Sequence, residues 1–555
     1  MAYIIDNKKL SITNQTEKIK IQYSPIVEYM FASILDDQLK IEGTLFLPFS
    51  PDNTPIKIYF KYADNYYEAN LLKNNDPERV FDTEIICERN FYSVKIPLIQ
   101  DDEISCFVEL NGEKIECTRY MYSRFFPVSM QTPGQFVVQN DWILKCKLAK
   151  LNIEKDINQK WKDYENKFSA NLKASYKYLR EIYYTKNKGK RVWLLWDRPN
   201  QAGDNGEALF EYLVNSNECK EEVYFVISSS STDYKRLHKL YPDRVVDVGS
   251  LKHQQLFVIS DILIGSQTDS VMWPLDPKVF RDIISQKPFV FLQHGITKND
   301  MSRNYSRYYQ NIRLFVTAGI SEYENTKNIV NYGFSESMVK LLGFPRFDKL
   351  EDKKKKYIAI LPTWRKYCVN NNSNGEIKDN FNESEYFLFY SKLLKNTELL
   401  NMCEKTGFKL IFLQHNIMKK TDEKFLQHEC IEFGDATWSY NRVISEASIL
   451  ITDYSSVSFD FAYLKKPIIY CQFDKEKFYK THTYQEGYFD YERDGFGPVV
   501  FSVEDTKKYI SRYLNMGCKM EDKYIERVNR FFEFHDKNNC ARVADAIREV
   551  KLTNE

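Results

Sequence analysis

Hydrophobic and polar positions divide the chain into three regimes. From residue 1 to about 130 they alternate in short runs, such as Ile56-Lys57-Ile58-Tyr59-Phe60 and Phe91-Tyr92-Ser93-Val94-Lys95-Ile96. Turn residues interrupt these runs at Pro51-Asp52-Asn53 and Asn111-Gly112. A period of two broken by turns predicts antiparallel strands, here a small Ig-like sandwich over 1–130. In the next stretch, 131–190, Leu144, Leu148, Leu151, Ile157, Trp161, Tyr164, Phe168, Leu172, Tyr176, Leu179 and Tyr183 mostly step by three or four. That spacing predicts an amphipathic helical linker. After Arg191, compact apolar runs alternate with helical or loop segments. They lie at Val192–Trp196, Val223–Ser228, Ile262–Gly265, Pro288–Gln293 and Leu314–Thr317, then at Tyr357–Leu361, Lys409–Leu413, Ser448–Thr452 and Pro467–Tyr470. Strand–helix alternation predicts parallel sheets covered by helices.

Gly343-Phe344-Pro345-Arg346 and the charged stretch Lys349–Lys356 separate the two series. The expected class is therefore α/β, with two doubly wound Rossmann-like domains, 191–345 and 346–555, facing a cleft. The helical segment Glu521–Lys551 is expected to pack back across the pair.

Composition changes this picture little, and charge changes it locally. With 78 Lys+Arg against 77 Asp+Glu over 555 residues, a dedicated nucleic-acid binder is disfavoured. Over 142–191, however, fourteen Lys/Arg face five Asp/Glu, a local +9. Such a helix either lies on an anionic membrane surface or packs its apolar stripe on the next domain and solvates its lysines. No apolar run reaches the ~20 residues of a membrane span, and the opening MAYIIDNKKLSIT lacks the order of a secretory signal. Eleven cysteines without a CxxC pair point to buried thiols in a reducing cytosol.

Candidate chemistry gathers at the carboxyl ends of the expected strands, where ligands sit in open α/β sheets. These ends carry Gln293-His294-Gly295, Pro362-Thr363-Trp364-Arg365, Gln414-His415-Asn416 and Asp453-Tyr454-Ser455-Ser456. Ser455 and Ser456 before the expected helix 457–464 suit an anion, although simple N-capping explains them too. Arg346 and Arg365 add fork-shaped cations suited to phosphate. The glycines around Asp204-Asn205-Gly206-Glu207 suit a tight strand-to-helix turn near the cleft. GxGxxG, GxxxxGK[ST] and GxSxG are absent, which disfavours hydride transfer, P-loop hydrolysis and α/β-hydrolase chemistry. The histidines lack a third ligand at a metal-like spacing, so neither metal nor cofactor is expected.

Several ordered segments together resemble the CDP-glycerol glycerophosphotransferase family, the poly(glycerol-phosphate) and poly(ribitol-phosphate) polymerases and primases of teichoic acids and capsules. They are FLQHGITKND (291–300), SEYE (321–324), GFPRFD (343–348), LPTWR (361–365) and ITDYSSVSFDFAYLKKPIIY (451–470). The resemblance implies a GT-B architecture and transfer of polyol phosphate from CDP-glycerol or CDP-ribitol to a lipid-linked acceptor, with release of CMP. It places the enzyme in the cytoplasm, peripheral on the inner face of the membrane. On this match His294 and His415 would be the catalytic histidines, His294 as base. His415, Arg346, Thr363, Arg365, Ser455 and Ser456 would hold the donor's phosphates, and Glu446 would contact the nucleotide. Gly203, Asp204 and Asn205 would form the acceptor-side loop. A sugar-nucleotide glycosyltransferase on the same frame, and a non-catalytic scaffold derived from one, are the alternatives.

Overall fold

The computed structural model describes residues 2–6, 9–14, 19–23, 25–48, 56–72, 78–79, 86–110, 112–123, 126–128, 136–139, 142–155, 167–186, 189–307, 311–327, 332–370, 376–415, 417–434, 440–481 and 486–550. The turn signals Pro51-Asp52-Asn53 and Asn111, together with Ile157, Trp161, Tyr164 and Asn416, lie outside them.

Two sheets near the amino terminus share one apolar core. Ile26–Leu35, Gln38–Pro48 and Ile86–Pro97 form the centre of the first, while Ile56–Tyr62 and Asp102–Leu110 pair in the second. Val27, Leu39, Leu45 and Val94 from one sheet meet Ile58, Phe60, Ile104 and Val108 from the other, all buried. The second sheet continues through Phe136–Gln139, Trp142–Lys147 and Lys150–Lys155.

The first part of the helical linker expected over 131–190 is thus replaced by the strand Phe136–Gln139 and a hairpin over Trp142–Lys155. Its tip explains the misleading spacing. Lys147 pairs with Lys150 across a turn in which Leu148 has φ 55° and stands exposed. Leu144 and Leu151 therefore belong to facing strands, and a three-to-four step across a tight turn imitates a helical face. Tertiary pairing with Asp102–Leu110 overrode the local period.

Helix does form at Ala170–Tyr184, capped by the Ser169 side chain. Tyr176, Leu179 and Arg180 are buried on its inner face, and Arg180 makes paired 2.7 Å hydrogen bonds to Asp282. Along this helix the apolar stripe packs on the α/β unit, leaving Lys177 on the exposed side. No helix among the described residues is long and apolar enough to cross a membrane.

The first α/β sheet runs Val245–Asp247, Glu222–Ile227, Val192–Trp196, Ile262–Gly265, Phe289–Phe291, Ile312–Thr317, Val339–Leu341, all parallel. The second runs Ile431–Phe433, Lys409–Phe412, Tyr357–Leu361, Ile449–Thr452, Ile468–Cys471, Val499–Val500, also parallel. In each, the first strand of the unit has its successor on one side and a later strand on the other. That reversal is where open α/β sheets leave a crevice.

The units are joined at Pro345–Lys349, where Phe347 stacks on Tyr463 with ring centroids 4.3 Å apart. The last helix, Asn539–Arg548, returns to the first unit. Asp348 accepts from the backbone N–H groups of Asn539 and Cys540, and Arg548 pairs with Glu221. Gly343 sits against this helix with φ +78°, a conformation glycine adopts without a Cβ penalty.

Candidate active site

His294 follows the strand Phe289–Phe291 on a loop held from below. Gln293 has φ 60°, strained for a non-glycine residue, and its side chain is locked: Nε2 donates to the Val316 carbonyl (2.6 Å) and to Glu322 (3.0 Å), while Oε1 accepts from Thr297. Glu322, fully buried, also accepts from the backbone N–H groups of Thr297 and Ala318. Burial raises its carboxyl to about 7. The loop is further tied by Asn205, which donates to the Leu292 and Gln293 carbonyls.

This loop meets the second unit directly. One cleft is lined by His294, Gly295, Thr297 and Lys298 from the first sheet and by Thr363, Trp364, His415, Tyr440, Ser455 and Ser456 from the second. Gly295 is required there: an added Cβ would lie 2.7 Å from the Ser456 hydroxyl. The residue after the histidine therefore serves the approach of one unit to the other.

His294 also borders a second hollow, with Arg198, Asn200, Gln267, Asp269 and Asn304 around it. Its imidazole stands between the two spaces. Burial lowers the pKa of His294, Asp204 opposes that shift, and the charges of Arg198 and Arg346 reinforce it. His415 is lowered likewise, by burial and then by Arg198. Both rings are thereby kept neutral, and thus able to accept a proton, at neutral pH.

The two arginines expected on phosphate are engaged elsewhere. Arg365 is fully buried, with Nη1 donating to Asp453 (2.8 Å) and Nε and Nη2 to Asp474 (2.7 and 3.0 Å). Asp453 also accepts from the Thr363 N–H and hydroxyl, so Arg365 braces the strand ends that present Thr363. Arg346 pairs with Asp460 (2.9 and 3.0 Å) and with Asp204 (2.9 Å), bridging both units. Neither guanidinium lines the cleft. Arg346 and Arg365, expected on phosphate, are in this structure paired by buried carboxylates inside the protein.

Gly203, Asp204 and Asn205 brace the units as well. The Gly203 carbonyl accepts from Asn441 (2.8 Å), Asp204 holds Arg346, and Asn205 Oδ1 accepts from the Arg346 N–H. From this loop it is Arg198 and Asn200 that face the hollow beside His294. Above it, Asp197 accepts from the N–H groups of Asp204, Gly206 and Glu207 and from the Ser266 hydroxyl. Glu446, expected at the nucleotide, is held by Lys355 and Arg442 outside the cleft.

Sequence reasoning passed over Lys298. It is 5% exposed, lines the cleft, and burial lowers its ammonium to about 8 against the attraction of Asp453. It stands four residues after His294 within FLQHGITKND, a segment read for its histidine alone. Among the described residues, Glu404, His428 and Cys430 form the one group with metal-like donor spacing. There His428 Nδ1 accepts from the Cys430 N–H, so that nitrogen is already engaged, and Nε2 lies 3.8 Å from Glu404.

Two parallel sheets facing one another across a cleft, with a histidine loop from one opposite serine and threonine groups from the other, define an α/β protein of GT-B-like fold. The solved wall teichoic acid polymerase TagF shares this fold, with a TM-score of 0.51 at 15% identity over 71% of this chain and 98% of that one. The family model described as CDP-Glycerol:Poly(glycerophosphate) glycerophosphotransferase matches residues 178–549. The chain belongs to that family. It is 31% identical over 545 residues to the minor teichoic acid biosynthesis protein GgaB of Bacillus subtilis (strain 168), covering 93% of this chain and 59% of GgaB. It is 25% identical over 236 residues to the teichoic acid ribitol-phosphate polymerase TarK of Staphylococcus aureus (strain NCTC 8325 / PS 47), covering 39% of this chain and 41% of TarK. The chain thus spans about three fifths of GgaB and less than half of TarK.

Proposed function

We propose that the protein transfers glycerol phosphate or ribitol phosphate from its CDP-activated form to the terminal hydroxyl of a lipid-linked teichoic acid or capsular polymer, releasing CMP. Family membership supports the reaction class. The observation that carries the reading is the position of His294, whose ring borders both the Ser455–Ser456 cleft and the hollow at Arg198. A donor in the cleft and an acceptor hydroxyl in the hollow meet at that imidazole.

In this reading the acceptor oxygen attacks the distal phosphorus and a new P–O bond forms. The bond from that phosphorus to the bridging oxygen breaks, CMP departs with the electron pair, and the hydroxyl proton passes to neutral His294. Lys298, His415 and the hydroxyls of Ser455 and Ser456 hold the diphosphate and offset the charge that builds on it, beside Thr363, whose own hydroxyl donates to Asp453. Arg365 and Arg346 keep these groups in place.

CMP release is to be assayed with CDP-glycerol, CDP-ribitol and UDP-sugars against a lipid-linked acceptor. Turnover of a CDP-polyol supports the proposal; turnover confined to UDP-sugars makes the protein a glycosyltransferase and ends it. The pH profile of kcat/KM should be bell-shaped. On the acid side it falls as His294 takes a proton below its unperturbed value of about 6.5. On the alkaline side it falls as Lys298 loses its charge near 8. Lys298→Gln should lower the plateau and remove the alkaline limb, and an unaltered limb in that variant would rule Lys298 out.

We propose also that the enzyme works at the inner face of the membrane, drawn there by the excess of Lys and Arg over 142–191. Neutralising Lys160, Lys162, Lys167, Lys173 and Lys177 together should reduce sedimentation with anionic liposomes. Undiminished sedimentation would remove the attachment from this segment. The amino-terminal pair of sheets is read as an Ig-like accessory unit beside the transferase.

A further inference from the structure

A second pocket, of about 470 Å³, lies where the amino-terminal sheets meet the first α/β unit, and none of its lining residues borders the transfer cleft. Lys40 and Glu42 enter it from the strand Gln38–Pro48, and Arg307, Arg313 and Lys340 from the α/β unit. Glu549, just past the last helix, closes it. Four cations thus face two carboxylates, and both carboxylates are engaged. Glu42 accepts from Arg307 Nη2 at 2.7 Å and lies 3.3 Å from Lys40, while Glu549 takes Lys340 at 2.6 Å.

That leaves the two guanidiniums short of acceptors. Arg307 is 6% exposed, and its Nε is buried with no hydrogen-bond partner among the described residues. Arg313 lies over the Phe31 ring, 5.5 Å from its centroid, and among the described residues has no carboxylate at ion-pair distance. Burial, then the neighbouring charge of Arg307, pulls Arg313 down to about 9, against the attraction of Glu42. Holding a guanidinium in this way is costly unless an anion joins it. The Ser335 and Ser337 hydroxyls, 3.0 Å apart, line the same space.

We propose that this pocket binds a phosphate group, as a free ion, a phosphomonoester or the phosphodiester of a lipid headgroup, gripped by Arg313 and Arg307 with Lys40, Lys340 and the two serine hydroxyls around it. Guanidinium forks and hydroxyls match the several oxygens of a tetrahedral phosphate better than a carboxylate or chloride. A bound phosphate ties together the amino-terminal sheets, the edge of the α/β sheet and the carboxyl-terminal helix.

The test is thermal unfolding of the full chain without nucleotide, since CMP is itself a phosphomonoester, and dependence on Arg313 separates this pocket from the transfer cleft. Phosphate is compared with chloride at matched ionic strength. In the unsubstituted protein Tm should rise with phosphate, as for any ligand that binds the folded state. Arg313→Gln removes a half-buried cation that faces the charge of Arg307 and has no carboxylate at ion-pair distance among the described residues, so its phosphate-free Tm should be higher, yet half-saturation by phosphate should weaken by roughly tenfold or more. Lys340→Gln, at the more exposed rim, should weaken the response without that rise. The probes are inorganic phosphate, glycerol 3-phosphate and phosphatidylglycerol vesicles. A response to the small phosphates that depends on Arg313 identifies a soluble ligand, and one confined to vesicles identifies a lipid headgroup. A response equal in Arg313→Gln and the unsubstituted protein overturns the proposal. So does an Arg313-independent result with all three probes, or a lower phosphate-free Tm in Arg313→Gln.

Discussion

Replacing His294 by alanine is expected to lower the rate of CMP release by about 10²–10⁴-fold, the range that a positioned general base contributes, while CMP binding is retained. The expectation follows from where the ring stands. His294 borders the cleft at Ser455–Ser456 and the hollow at Arg198 at once, burial lowers its pKa, and Gln293 and Asn205 hold its loop. Single-turnover rates separate chemistry from release. Full turnover in this variant would contradict the base assignment. A loss of rate accompanied by loss of CMP binding would instead make His294 part of the donor grip.

The second large effect is on stability. Arg365→Gln should destabilise the carboxyl-terminal α/β unit by about 3–5 kcal/mol, because it leaves Asp453 and Asp474 as buried carboxylates without their cation. The denaturant midpoint of that unit's unfolding transition is the quantity to measure, since a chain of this size need not unfold in one step. Arg365→Met combined with Asp474→Asn should cost less than the sum of the two single changes, because the second change removes one of the two carboxylates that the first strands. A strictly additive result would mean that the guanidinium contributes through packing against Tyr454, Phe473 and Phe478 instead of through its charge.

Much of the α/β architecture was legible in the pattern of residues. Buried parallel strands read as compact apolar runs, and Val192–Trp196, Ile262–Gly265 and Tyr357–Leu361 stand where those runs fall. The strands that escaped notice are Val245–Asp247, Val339–Leu341, Ile431–Phe433 and Val499–Val500, all short, and all four at the ends of their sheets, where among the described residues one side lacks a pairing strand. The hairpin Trp142–Lys155 was misread for another reason. Its apolar spacing fits a helix as well as it fits two strands across a tight turn, and only the neighbouring strand Asp102–Leu110 decides between them.

The sequence by itself determined the alternation of the central strands and helices in the two α/β units, the strand ends that carry His294, Thr363, His415, Ser455 and Ser456, and the family to which the chain belongs. These are local properties, written in periodicity and short motifs. Tertiary structure alone decided which charges remain available. Arg365 meets Asp453 at a sequence separation of 88 and Arg346 meets Asp204 at a separation of 142, distances over which sequence spacing carries no information about pairing. A guanidinium beside a phosphate and one neutralised by buried carboxylates look identical in a motif. The fold distinguishes them, spending Arg346 and Arg365 on bracing and leaving Lys298 at the cleft.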